Sequence, residues 1–368
     1  MKDQNAQQLL AKVMGWDDPD TVLRYVPKLQ LLADYKYDHY QRFAPGKRFI
    51  ESLANWLRQF DSEDRTTALD LVISRLVFIS DEEFSHLVQT AYADVVVQER
   101  MRLVAEEQDI PPHRVGQIRK NPRFEVLQLK SLYLGLSDGA RTNEFRRGGG
   151  GDISNEQIWQ AYELGPDKAK DMVDELRTSL VNAGAPSDNP RFNLIWLLDD
   201  FSGSGNTYIR YDSDKNEYKG KIKKIYDQLH RGDLINTSHY EVSLLLYVAT
   251  RQAIDHIEYW AERFTSEHGY KPLQVRVLCT IEHDIAITHH PDGKLDALIR
   301  HTKYYDEKAS DKHIRVGGTD DARFGFARCA LPIVLSHNTP NNSLYILWGP
   351  ESHRFPGLFP RASRHREF

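Results

Sequence analysis

Apolar residues follow two textures along the chain. From Asp18 to about Gln108 they recur at helical spacing. In "KRFIESLANWLRQF" Phe49, Leu53, Trp56, Leu57 and Phe60 stand at i, i+4, i+7, i+8 and i+11, one face of a helix. "DSEDRTTALDLVISRLVF" continues in the same style, and "SDEEFSHLVQTAY" opens with Ser80 as N-cap and a glutamate at N3. The expectation is a helical N-terminal region over residues 1–115, either a winged-helix-like module or a packing layer for the domain after it.

From about Phe124 short apolar runs alternate with amphipathic helices, so residues 116–368 are expected to form an α/β domain around a parallel sheet. "VLQLKSLYLGL", "FNLIWLLDD", "EVSLLLYVAT", "LQVRVLCTIE" and "LPIVLSH" read as buried strands. "SNEQIWQAYELGPDKAKDMVDELRTSLVNAG" reads as helical, broken at Gly165-Pro166 and stopped at Gly184. "GGGG" at Gly148–Gly151 is either a mobile loop near a site or a plain connection.

Composition narrows the setting. At 368 residues the chain is long enough for one large core or two modest ones, and a net charge of −5 carries no global footprint for nucleic acid. No run approaches the roughly 20 apolar residues of a membrane span, and the N-terminus lacks an apolar signal core. Cys279 and Cys329 stand alone, which excludes a disulfide framework or thiolate zinc site. The expected setting is soluble, in a reducing cytoplasm, away from membranes.

The candidate chemistry sits in "NLIWLLDDFSGSGNTYIR". In a parallel sheet ligands bind outside the carboxyl ends of the strands, where Asp199 and Asp200 would lie. A Walker B reading needs a GxxxxGK[ST] loop, and the chain has none. Instead Ser202, Gly203, Ser204, Gly205, Asn206 and Thr207 form a small-residue turn. It is suited to presenting backbone N–H groups and hydroxyls to phosphate and to opening a helix. Two carboxylates beside such a turn would repel phosphate, so their natural partner is a diol that donates two hydroxyls. Together these residues describe a site for a ribose 5-phosphate.

"LLDDFSGSGNT" resembles the 5-phosphoribosyl 1-pyrophosphate (PRPP) loop of type I phosphoribosyltransferases. Asn206 stands where glycine is more usual, a mild departure because Asn tolerates left-handed backbone. "LYLGLSDGARTNEFRR", "EYKGKI" and "LPIVLSHNTPNNSLYILW" extend the resemblance over roughly residues 125–360 to the phosphoribosyltransferase-like proteins of bacterial conflict systems (PRTase-CE), which occur in anti-phage loci including some retrons.

The resemblance implies a type I phosphoribosyltransferase-like sheet flanked by helices. Asp199 and Asp200 would hold the ribose hydroxyls, and Ser202–Thr207 the 5′-phosphate. Ser137, Asp138, Gly139 and Arg141 would form the pyrophosphate loop, with Arg146 and Arg147 as second candidates. The same "SDGAR" residues also read as a plain strand-to-helix turn. Asn338, Asn341 and Trp348 are either a wall over the base or a turn built from Asn, Thr and Pro.

Magnesium, held mainly by the ligand, is the implied cofactor, and PRPP or a related nucleotide the implied ligand. A defence-system partner such as a reverse transcriptase with its noncoding RNA is implied by association. The candidate functions are three: a phosphoribosyltransferase or PRPP-consuming toxin effector, an inactive PRPP- or nucleotide-sensing module that regulates a partner or binds nucleic acid, and a scaffold that keeps only the fold. The acidic helix "SDEEFSHLVQTAY" disfavours DNA recognition through that element, and the retained acids and turn disfavour the scaffold. Glu282, His283, Asp284, His289 and His290 are metal-binding types without a zinc spacing. The basic tail from Arg354 onward reads as a solvated terminus.

Overall fold

The run Leu194–Leu198 is buried at every position, as the middle of a parallel sheet covered on both faces requires. In the computed structural model, which describes residues 3–289 and 293–361, this run lies inside β3 (Leu194–Ser202), the central strand of a five-stranded sheet. Its companions are β1 (Ser131–Gly135), β2 (Ile158–Gln160), β4 (Glu241–Thr250) and β5 (Leu273–Ile281). The order across the sheet is β2-β1-β3-β4-β5, and every pairing is parallel. The architecture is therefore an α/β sheet flanked by helices, as the alternation of runs predicts.

Two compact units divide the chain. One is the continuous segment Ser85–Ile281, which holds the whole five-stranded sheet, and the other joins the chain before it to the chain after it. The boundaries thus fall at Phe84/Ser85 and Ile281/Glu282, where the sequence places a single one at 115. The C-terminal stretch packs with the N-terminal helices instead of extending the sheet.

Within the sheet-bearing unit four helices matter for the site: α1 (Thr142–Gly148), α2 (Pro166–Asn182), α3 (Lys221–Arg231) and α4 (Arg251–His268). Helix α3 buries Ile222, Ile225, Tyr226 and Leu229, the i, i+3, i+4, i+7 stripe of an amphipathic helix laid on a core. Strand β4 is buried from Val242 to Thr250 and continues directly into α4. The last residue of β4, Thr250, caps the helix by accepting from the Ala253 amide at 3.0 Å.

Two local expectations change, and a third gains detail. "VLQLKSLYLGL" is split: Pro122–Leu129 is helical and only Ser131–Gly135 is a strand. The stretch after Ser154 is not all helical, since Ile158–Gln160 pairs with β1 as an edge strand and the helix begins at Pro166, a residue preset for a first turn. The four glycines form the end of a helix and the turn that follows it. Gly148 closes α1 and the Gly149 amide bonds Phe145 O, while Gly150 and Gly151 turn the chain with positive φ.

In the second unit Phe49–Leu57 buries Phe49, Leu53, Trp56 and Leu57, the face read from sequence. The Ser80–Glu83 capping box forms with both of its hydrogen bonds, at 2.8 and 3.2 Å. "LPIVLSH" is a buried strand, but Ile333–Leu335 pairs with Val77–Ile79 in a separate two-stranded parallel sheet. Among the described residues no helix is long and apolar enough to cross a membrane.

Candidate functional site

Strand β3 carries Asp199 and Asp200 at its carboxyl end, and the pleat sends successive side chains to opposite faces. Asp199 turns inward and is 1 % exposed, whereas Asp200 stays partly exposed. Each oxygen of the Asp199 carboxylate accepts two hydrogen bonds. Ser137 Oγ and the Asp200 amide (3.2 Å) donate to Oδ1, and Tyr208 Oη (2.7 Å) and Lys221 Nζ (2.6 Å) donate to Oδ2. Burial raises the Asp199 pKa, the Lys221 ammonium opposes that rise, and the neighbouring Asp200 charge adds to it. The same burial, with the two acids beside it, lifts the Tyr208 phenol well above its ordinary range, so Tyr208 stays a donor.

The loop after β1 closes over these acids. Leu136 N bonds Leu198 O at 2.9 Å, which sets the loop beside the end of β3, and Ser137 then reaches Asp199. Gly139 presents its bare Cα to Asp200: a Cβ built there would lie 2.2 Å from Oδ2. The loop is pinned from below by buried Tyr247 of β4, whose hydroxyl donates to Ala140 O at 2.9 Å. Asp138 is exposed and accepts from Tyr162 Oη at 2.9 Å. Arg141 adopts left-handed backbone at φ 48° and sends its guanidinium to Glu144 Oε2 at 3.3 Å. A non-glycine residue held in that region stores strain of about 1–3 kcal/mol, a frequent mark of ligand loops.

The small-residue turn lies at the same end of the sheet but is built differently from expectation. Ser202 belongs to the strand, paired with Ala249, so the turn proper begins at Gly203. Gly203 O accepts from Thr250 Oγ1 at 2.7 Å, which ties the turn to the start of α4. Gly205 has φ +77° and backs directly onto α4, where an added Cβ would meet Ala253 O at 2.9 Å. Ser204 is buried, Asn206 is half-buried and Thr207 is exposed.

No helix starts at this turn. The chain passes into a hairpin, Arg210–Asp212 with Glu217–Lys219, before α3 begins at Lys221. The first amides of α3 are already used: Lys221 N bonds Thr207 O at 3.1 Å and Ile222 N bonds Tyr208 O at 2.9 Å. What the turn offers an anion is therefore its own backbone and hydroxyls, together with the Lys221 ammonium.

The unit thus brings together Asp199, Asp200, Gly203–Thr207 and the Ser137–Arg141 loop, all at the carboxyl edge of β1 and β3. Arg146 and Arg147 sit in the last turn of α1, beyond that loop. Asn338, Asn341 and Trp348 lie in the other unit and serve its turns and core. The Asn338 amide closes a turn onto Leu335 O (3.1 Å), Asn341 O accepts from Phe326 N (2.6 Å), and buried Trp348 donates its indole N–H to Ser343 O (2.9 Å).

His283 and His289 also belong to that unit, with ring centres 5.9 Å apart, while His290 lies outside the described residues, as does the tail beyond Arg361. Among the described residues no group of three or more His, Cys, Asp or Glu is placed to hold a metal.

Lys221, Tyr208, Tyr247 and Thr250 complete the site without having been singled out by role. The signals were present: "EYKGKI" carries Lys221, Tyr208 follows the turn directly, and Thr250 ends an apolar run. The PRTase-CE family model matches residues 53–361, a span that takes in the whole sheet-bearing unit. No curated protein and no solved structure matches the chain.

Proposed function

Since the chain belongs to the PRTase-CE family, whose domain is phosphoribosyltransferase-like, we propose that the Ser85–Ile281 unit binds PRPP, or a related ribose 5-phosphate nucleotide, together with Mg2+. The protein then acts at the ribose anomeric carbon as an effector of bacterial anti-phage defence. The observation that carries this reading is one convergence at the carboxyl edge of the sheet. A partly exposed carboxylate, Asp200, meets the glycine loop, the small-residue turn follows it in the chain, and the Lys221 ammonium sits on the neighbouring Asp199. A sugar phosphate has matching parts: hydroxyl donors for the carboxylate and anionic groups at both ends for the loops.

The donor set suits a magnesium ion carried by its ligand. One hard carboxylate oxygen on Asp200, supplementing phosphate oxygens and water, is the usual protein share at such an ion. When bound, magnesium supplies charge neutralisation for a pyrophosphate leaving group. The chain's own residues orient the sugar. In transfer, the bond from C1 to pyrophosphate breaks with its electron pair leaving on pyrophosphate. A nitrogen of the acceptor forms the new bond to C1, and that nitrogen releases its proton. No protein nucleophile takes part, so positioning and electrostatics supply the acceleration.

Titration calorimetry with PRPP, with and without Mg2+, on the wild type and Asp200→Asn tests the binding. The wild type should bind and the variant should lose at least tenfold in affinity; silence in the wild type, or equal affinity in both, sinks the reading. Release of pyrophosphate from bound PRPP separates transfer from ligand sensing. Mass spectrometry of cellular nucleotides after induction identifies what is consumed.

A further inference from the structure

The two adjacent acids are not equivalent. An ionised carboxylate offers about four lone-pair positions, and Asp199 has four donors on them: Ser137 Oγ, the Asp200 amide, Tyr208 Oη and Lys221 Nζ. Three of these come from outside its own strand, and the side chain is 1 % exposed. A sugar hydroxyl would have to displace one of them and leave a donor without its acceptor, at a cost of about 1–3 kcal/mol for a buried group. Asp199 is therefore an internal hub.

Lys221 has the opposite character. Its side chain is 28 % exposed, and the 2.6 Å bond to Asp199 uses one of the three N–H donors of an ammonium. Its main chain is fastened to Thr207 O at the foot of the small-residue turn, and its ammonium passes over the Tyr208 ring at 5.1 Å. The cation is thus held in a defined place on Asp199, and its own main chain is joined to the last residue of the turn.

Resting on the reading of this edge as a ribose 5-phosphate site, we infer that the acids divide the work. Asp200 alone meets the sugar, Asp199 is a positioning residue that fixes Lys221, and Lys221 is the binding residue whose ammonium receives oxygens of the ligand's phosphate groups. The charge pair also explains why a buried acid is tolerated beside a site for anions. Lys221 cancels Asp199 internally, so the buried acid adds no net negative charge to the field that a phosphate meets, and the ammonium keeps two donors to spare for it.

The test is titration calorimetry with PRPP and Mg2+, and separately with ribose 5-phosphate, over a range of salt concentrations. Lys221→Met should weaken both ligands by about ten- to a hundredfold, the loss of a charge-assisted hydrogen bond, and should flatten the dependence of affinity on salt. Lys221→Arg, which keeps the charge, should recover most of the affinity and the salt slope.

Because Lys221→Met leaves the Asp199 carboxylate buried beside one partner fewer, Asp199→Asn/Lys221→Met is the second variant. It carries no buried charge at this pair, so any remaining loss of affinity relative to the wild type reports the missing ammonium and not an unpaired acid, and it should still bind more weakly than the wild type. Wild-type affinity and salt slope in either methionine variant overturns the role of Lys221 while leaving the site reading intact. A wild type that binds neither ligand overturns the site reading, and the role of Lys221 with it.

Discussion

Gly139 of the loop after β1 lies directly against Asp200 of β3: a Cβ on Gly139 would stand 2.2 Å from Asp200 Oδ2, far inside van der Waals distance. Any side chain at 139 must push either the loop or the carboxylate away. Gly139→Ala is therefore expected to reduce PRPP affinity by about ten- to a hundredfold, the scale of one charge-assisted hydrogen bond. The global melting temperature should change little, because the contact lies at the rim of the sheet. Calorimetry and a thermal melt on the same preparation check this; full affinity in the variant means the close approach is dispensable.

Gly205 joins the turn to α4 through a left-handed backbone that side chains rarely adopt, and it lies against the helix with no room for a methyl group. Gly205→Ala should destabilise the unit by about 1–3 kcal/mol, read as a lower urea midpoint with an unchanged slope. An unchanged midpoint would mean that the turn can repack away from Ala253.

His256 of α4 holds the chain just after the same turn, with Nε2 2.8 Å from Ile209 O, so Nε2 carries the proton that is donated. Burial lowers the pKa of the imidazole below its ordinary 6.5, and the bond to the Ile209 carbonyl offsets this in part. The folded state thus binds fewer protons than the unfolded state just below pH 6.5. Its contribution to stability is full above that pH and is lost as pH falls through the lowered pKa. Urea midpoints measured from pH 7.5 to about 5 should fall more for the wild type than for His256→Gln, which keeps a donor but does not titrate. Parallel curves would show that the histidine has no part in the acid sensitivity.

How much of the molecule was legible in the sequence depends on the range over which each signal acts. The runs that became β3 and β4 are buried almost throughout, so local hydrophobicity alone marks them. Ile158–Gln160 has only one neighbouring strand and a polar context, and nothing local separates it from the helix that comes after. The pairing of Val77–Ile79 with Ile333–Leu335 joins distant parts of the chain and leaves no local trace.

At the site, the acids and glycines were readable because their chemistry is unusual at the end of an apolar run. The saturation of Asp199 was not, because Ser137 and Lys221 reach it from 62 and 22 residues away. The small-residue turn has the composition of a helix start, yet its chain bends into a hairpin because Gly205 is committed to α4 and Tyr208 to Asp199.

Helix α3 is fastened at its first residues three times: Lys221 N to Thr207 O, Ile222 N to Tyr208 O, and Lys221 Nζ to Asp199. One of these fastenings ends on the turn, the second on Tyr208 just after it, and the third on the carboxylate that also holds Ser137 in the opposite loop. Mechanically the helix is a lever with its short arm inside the site. A displacement of its first turn would therefore be felt on both sides of the cradle at once, through Thr207 on one side and through Asp199 and Ser137 on the other.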